Sequence, residues 1–164
     1  MYSPTLGHDT LFTCFTYAAA HDLEIHQLDA IVAYLNSDLH EEIYLHPPEG
    51  VPVQPGRVWQ LRKAIYRLKQ AGLEWFHTLH NHIKLLGYSQ SNHNPCLYIC
   101  DSNLFIVIYV DDLLVFTVKD KIKQVKSELT GRYKMWDLGE VHWFLAMEVM
   151  CNQVNCINSN GCKC

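Results

Sequence analysis

The run LFIVIYVDDLLVFTV at 104–118 is apolar and rich in β-branched residues apart from two adjacent aspartates, Asp111 and Asp112. Aspartate is common in turns, so plain hairpin chemistry is one reading of the pair. It fits poorly, because tight hairpins favour Asn-Gly, Asp-Gly or Gly-Gly to supply φ > 0, and no glycine stands here. Ionised carboxylates in one patch repel, and one of them is driven towards protonation unless a cation compensates. Hard, oxygen-rich clusters suit Mg²⁺, which also keeps waters and substrate phosphates in its shell. Two such ions about 3.5–4 Å apart form the two-metal device for phosphoryl transfer, one activating the attacking hydroxyl and the other stabilising the leaving oxygen.

Such a cluster needs a frame. A first helix is expected from Asp9 or Thr10 to about Ala20, with Leu11, Phe15 and Ala18–Ala19 on one face. LEIHQLD at 23–29 reads as a short strand ending at Asp29. The PP, PEG and QPG segments between 47 and 56 mark a turn-rich excursion, with short strands at 42–46 and 57–61. Phe76, Leu79, Ile83 and Leu86 follow helical spacing from about Ala71, and Gly87 stands where a C-terminal cap belongs. A strand near 97–100, the 104–118 hairpin, a helix at 120–130 and a last strand in VHWFLAMEVM at 141–150 complete the chain. The order strand, helix, two hairpin strands, helix, strand is the α+β, ferredoxin-like (split βαβ) arrangement. In it a helical crossover makes strand 23–29 parallel to strand 104–110, with 113–118 antiparallel between them. Asp29 then falls at the same sheet edge as Asp111 and Asp112.

The bulk numbers fit one globular domain of 164 residues, with 49% apolar and 18% charged residues. We expect this domain over 2–150 and a divergent, disordered tail over 151–164. Asp111 and Asp112 break the longest apolar stretch, so no membrane span is expected, and Met1 is followed by the polar YSPTLGHDT rather than a secretory leader. The expectation is an intracellular protein with reduced thiols; the seven cysteines show no CxxC pair. His77, His80 and His82 read as a solvated helix face and Cys96 and Cys100 as small buried residues beside a strand. The net charge of −4 argues mildly against a nucleic-acid binder. Five of thirteen basic residues nevertheless cluster at 57–69, including Arg62, Lys63, Arg67 and Lys69, and six more lie between Lys119 and Lys134.

IYVDDLLVF resembles the YVDD box of reverse transcriptases. HQLDAIVAYLNSDLHEEIYLHPPEG, VWQLRKAIYRLKQAGLEW, GYSQSNHNPCLYI and WDLGEVHWFLAMEV extend the resemblance, in order, to the reverse transcriptase domain of copia-type long-terminal-repeat retrotransposons. The resemblance implies the palm of an RNA-directed DNA polymerase that uses two Mg²⁺ ions, with Mn²⁺ as a substitute, an RNA or DNA template with primer, and deoxynucleoside triphosphates. Asp29 and Asp111 would be the principal metal ligands and Asp112 the third catalytic and metal-binding carboxylate. Tyr34 matches the aromatic gate that rejects a ribose 2′-OH, Lys69 and Gln70 lie in the family's LKQ segment near nucleotide and template, and the FLAMEV strand with Met147 corresponds to the primer-holding region. Arg62, Lys63 and Arg67 are candidates for the nucleic-acid backbone. In an active element the chain would work in the cytoplasm or a virus-like particle.

The sequence departs from the family pattern at several places. Arg67 and Ala146 stand where glycine is usual, Gly72 where proline is usual, Ile31 for lysine and Asn94 for aspartate. The match also implies a piece lacking most of the fingers, the thumb and RNase H, hence weak or absent polymerase activity from this chain alone. A non-catalytic nucleic-acid-binding or structural remnant is the alternative.

Overall fold

The structure, a computed structural model, describes residues 3–152 apart from 53 and 55, together with 155–158, and side chains as far as Val149. α1 (His8–Ala20) buries Leu11, Cys14, Phe15 and Ala18, a single helical stripe. It leads into β1 (Glu24–Ala30), a 3₁₀ turn at Ala33–Asn36, and the two-residue strands β2 (Tyr44–Leu45) and β3 (Trp59–Gln60), which pair with each other across the proline-rich excursion. α2 (Ala71–Leu85) follows; Gly87, at φ 95°, turns the chain out of it. Then come β4 (Ser89–Gln90), β5 (Leu97–Asp101), β6 (Leu104–Tyr109), β7 (Asp112–Thr117), α3 (Ile122–Thr130), β8 (Met135–Glu140), β9 (Trp143–Phe144), β10 (Met147–Asn152) and β11 (Asn155–Asn158).

Six strands form an antiparallel sheet in the order β4-β5-β6-β7-β1-β8. β7 lies between β6 and β1 and is antiparallel to both, so those two run in the same direction. Both faces of this sheet are covered. Ile25, Leu114, Phe116, Phe105 and Val107 pack towards α1, while Leu28, Leu113, Val115, Ile106 and Ile108 pack towards α2 and α3. Double-sided burial explains why β6 and β7 read as unbroken apolar runs rather than alternating ones.

The sheet's last strand differs from expectation. The sixth strand is Met135–Glu140, and 141–150 instead splits into β9 and β10 around a two-residue turn at Leu145–Ala146. Both turn residues have positive φ, 49° and 61°, the geometry of a type I′ hairpin. β8 escapes a sequence search because it is an edge strand whose Trp136 and Leu138 are exposed. A polar clip holds it: the Lys126 ammonium of α3 donates to Asp137 Oδ1 at 2.6 Å and to His26 Nδ1 on β1 at 2.7 Å. β10 runs across the boundary expected at residue 150 and pairs with β11; the other residues of the tail lie outside those described. Among the described residues no helix is long and apolar enough to cross a membrane.

The histidines of α2 part company. His77 is exposed, His80 shares a 2.8 Å hydrogen bond with the Tyr98 hydroxyl, and His82 is buried, bonded to the Leu129 carbonyl at 3.2 Å. The expected solvated face thus holds for His77 alone, because His82 falls on the stripe with Trp75 and Leu79. Cys96 is buried and Cys100 exposed. Asn94, for the family's usual aspartate, is buried and its Oδ1 accepts from the Cys96 amide at 2.8 Å, a turn-forming bond that asparagine and aspartate make equally.

Candidate active site

The β6–β7 hairpin closes through the two residues Val110 and Asp111, with Tyr109 opposite Asp112. Val110 has φ 54°, a conformation costly for a β-branched residue. Two hydrogen bonds hold this tip. The indole N–H of Trp75, fully buried in α2, donates to the Val110 carbonyl at 2.9 Å. The Ala30 amide at the end of β1 donates to the Asp111 carbonyl, also at 2.9 Å. The second bond ties the hairpin tip to the residue after Asp29, and the ladder places Asp29 directly opposite Asp112. The backbone therefore brings three aspartate positions to the place where β1 ends and β6 turns into β7.

Their electrostatics reflect that crowding. Burial pushes the Asp111 carboxyl above the ordinary range, and the charges of Asp29 and Asp112 push further; the Tyr66 hydroxyl works in the opposite sense. Asp112 is raised by burial and by Asp29, and eased by the Gln27 side chain, whose amide donates to its Oδ1 at 3.0 Å. Asp111 Oδ1 is buried without a hydrogen-bond partner. Among the described residues no group of three or more His, Cys, Asp or Glu side chains is gathered closely enough to hold a metal ion. The donor chemistry suits a hard cation, with Asp29 and the orphaned Asp111 oxygen as the natural pair, while Asp112 is engaged by Gln27.

Tyr34, in the 3₁₀ turn after β1, is partly buried against the α2–α3 core. Burial and the Asp111 charge both raise its hydroxyl. Its ring meets that of Tyr66 at 4.5 Å between centroids and 62° between planes. Tyr66 is a site residue that the sequence pattern does not single out. It is 55% exposed, and burial, Asp111 and Asp29 raise its hydroxyl in that order. The signal available in the sequence is its place immediately before Arg67, in the segment that resembles LYGLKQ.

The remaining expected residues take no part in these contacts among the described residues. Arg62, Arg67 and Lys69 are exposed, Arg67 with φ 74°. Lys63 pairs with Asp38 at 2.6 Å, and the Gln70 amide donates to Glu41 at 2.9 Å. Met147 packs against the α1-side core from β10.

The family described as reverse transcriptase (RNA-dependent DNA polymerase) matches residues 1–159. The chain is 36% identical over 158 residues to a retrovirus-related Pol polyprotein from transposon TNT 1-94 of Nicotiana tabacum, covering 92% of this chain and 12% of that protein. It is 39% identical over 128 residues to a transposon Ty5-1 protein of Saccharomyces cerevisiae, covering 74% of this chain and 42% of that one. To the transposon Ty1-BL Gag-Pol polyprotein of the same yeast it is 32% identical over 144 residues, 85% of this chain and 8% of the other. No solved structure gives a significant match.

Proposed function

The chain belongs to the reverse transcriptase family, and from that premise we propose that it forms the palm of an RNA-directed DNA polymerase that joins deoxynucleotides to a primer on an RNA or DNA template. The observation that carries this reading is the meeting of Asp29, Asp111 and Asp112 at one sheet edge, beside Tyr34 and Tyr66. The strand order around β7 supports a ferredoxin-like palm with a YVDD hairpin.

In this reading Asp29 and Asp111 hold divalent cations, two Mg²⁺ with Mn²⁺ as substitute. A cation held by these two carboxylates would supply charge neutralisation for the triphosphate and Lewis-acid polarisation of the reacting oxygens. The chain's own part is positioning. Trp75 and Ala30 hold the tip carbonyls and so fix where the Asp111 side chain starts. Gln27 keeps the Asp112 carboxylate beside the pair without letting it swing away. Tyr34 offers a ring edge to the sugar of the incoming nucleotide. Lys69 and Gln70 flank that nucleotide, Arg62, Lys63 and Arg67 follow the nucleic-acid backbone, and Met147 supports the primer side.

Extension of a labelled DNA primer on an RNA template, with Mg²⁺ or Mn²⁺, tests the reading. Weak extension by the 164-residue chain, abolished in Asp111→Asn and Asp29→Asn, is expected, since each would remove a ligand of the charge-neutralising cations. A second reading, a nucleic-acid-binding module without catalysis, draws on the exposed Arg62, Arg67 and Lys69 and on the engagement of Asp112 by Gln27. It requires RNA binding that both substitutions leave unchanged and no extension above the Asp111→Asn control.

A further inference from the structure

Resting on the reading above, we infer that Tyr66 is a second specificity-determining residue for the sugar of the incoming nucleotide, its ring backing Tyr34 so that the two aromatics form one gate. A gate that discriminates a single hydroxyl works only if its wall does not yield, because the difference it reads is smaller than one side-chain rotation. Tyr34 by itself is poorly braced. It sits on a four-residue 3₁₀ turn entered through Val32, which has φ 49°. Its side chain packs against the α2–α3 core, and its ring meets that of Tyr66 at 4.5 Å between centroids. Edge-to-face contact at that separation is the favoured aromatic geometry and resists rotation of either ring.

The segment that delivers Tyr66 is stitched to the turn that delivers Tyr34. The Ala64 amide donates to the Ser37 carbonyl at 3.2 Å, Asp38 and Lys63 form a backbone bridge, and their side chains pair at 2.6 Å. The Ser37 amide in turn donates to the Tyr34 carbonyl at 3.0 Å. A shift of either ring therefore drags the other's backbone. Tyr66 also has a free side: it is more than half exposed, and its hydroxyl is near enough to Asp111 and Asp29 to feel their charges. The left-handed Arg67 that follows makes the chain double back at this point.

Competition between dATP and ATP against a fluorescently labelled dATP, with Mn²⁺ present, reads the gate without requiring turnover. The wild-type chain should prefer dATP by about tenfold or more, and Tyr66→Ala should narrow that preference about fivefold while Tyr66→Phe retains it. Tyr66→Leu, which keeps bulk without a flat ring, should narrow it as alanine does and guards against a folding defect. A preference lost in Tyr34→Ala but unchanged in Tyr66→Ala and Tyr66→Leu overturns the inference and leaves the polymerase reading standing. Failure of the wild-type chain to bind either nucleotide overturns both.

Discussion

Asp111 and Asp112 carry charge where the sheet offers little solvent, and the cost falls on the folded state. Their carboxyls are raised by burial first and by neighbouring carboxylates after it. A carboxyl raised on folding binds its proton more tightly in the native chain than in the unfolded one. The native state is then favoured as pH falls towards the ordinary carboxylate range and penalised as pH rises above the raised value. The usual aspartate does the reverse: Asp137, lowered by its hydrogen bonds from Lys126 and Gly139 despite partial burial, contributes stability at neutral pH that is lost on acidification. Asp111→Asn should therefore raise Tm at pH 7 by about 2–4 °C, the response of a domain this size to ~1 kcal/mol after allowing for screening of a half-buried group. The gain should vanish near pH 4, and Mg²⁺ should raise the Tm of the wild type but not of the variant; thermal melts at the two pH values, with and without the ion, check both. A variant less stable than the wild type at pH 7 would contradict the crowding argument. Asp29 is legible from the sequence because strand order alone fixes which strand ends meet at one edge. Tyr66 is not, because its place depends on a turn outside any regular element and carries no periodicity.

At the scale of elements, turns hold the positions where this chain is strained. Arg67 at φ 74° and Ala146 at φ 61° adopt the left-handed conformation, and both stand where the related pattern has glycine. An L side chain there costs roughly 1–2 kcal/mol, partly offset in a glycine variant by the extra freedom of its unfolded chain. Ala146→Gly and Arg67→Gly should each raise Tm by about 2 °C or more, whereas Asp22→Gly, at φ 53° in a residue type that tolerates this region, should be neutral. Differential scanning calorimetry of the three variants separates them, and equal shifts would show that glycine content rather than φ is at work. The same physics decides what of the fold is readable. β6, β7 and α2 announce themselves, since burial on two faces or on a helical stripe leaves a pattern. β8 is exposed on its outer positions and reads as loop, and 141–150 reads as one strand because leucine and alanine do not advertise a type I′ turn.

For the molecule as a whole the question is how a chain of net charge −4 would hold the polyanion that the proposed function requires. The two basic clusters are not equivalent once folded. In 119–134, Lys119 faces Glu24 at 3.8 Å, Lys121 pairs with Asp101 at 3.4 Å and Lys126 with Asp137 at 2.6 Å. Half of that cluster's charge is spent inside the protein. In 57–69, Lys63 is taken by Asp38, but Arg57, Arg62, Arg67 and Lys69 are exposed and make no ion pair among the described residues, the last three within four residues of Tyr66 along the chain. They lie along the segment that carries Tyr66, so a duplex entering the site would meet them first. Each phosphate neutralised releases a condensed counterion, and the slope of log K against log salt counts these contacts at about −0.9 apiece. Three contacts predict a slope of about −3 for an RNA–DNA duplex, measured with divalent ion held constant. Replacing Arg62, Arg67 and Lys69 together by alanine should flatten it towards zero, and replacing Lys119, Lys121 and Lys126 should leave it within about one unit of the wild type. The opposite ranking would move the nucleic acid to the α3 side of the sheet, away from the aspartates, and with it the case for a polymerase cleft at this edge.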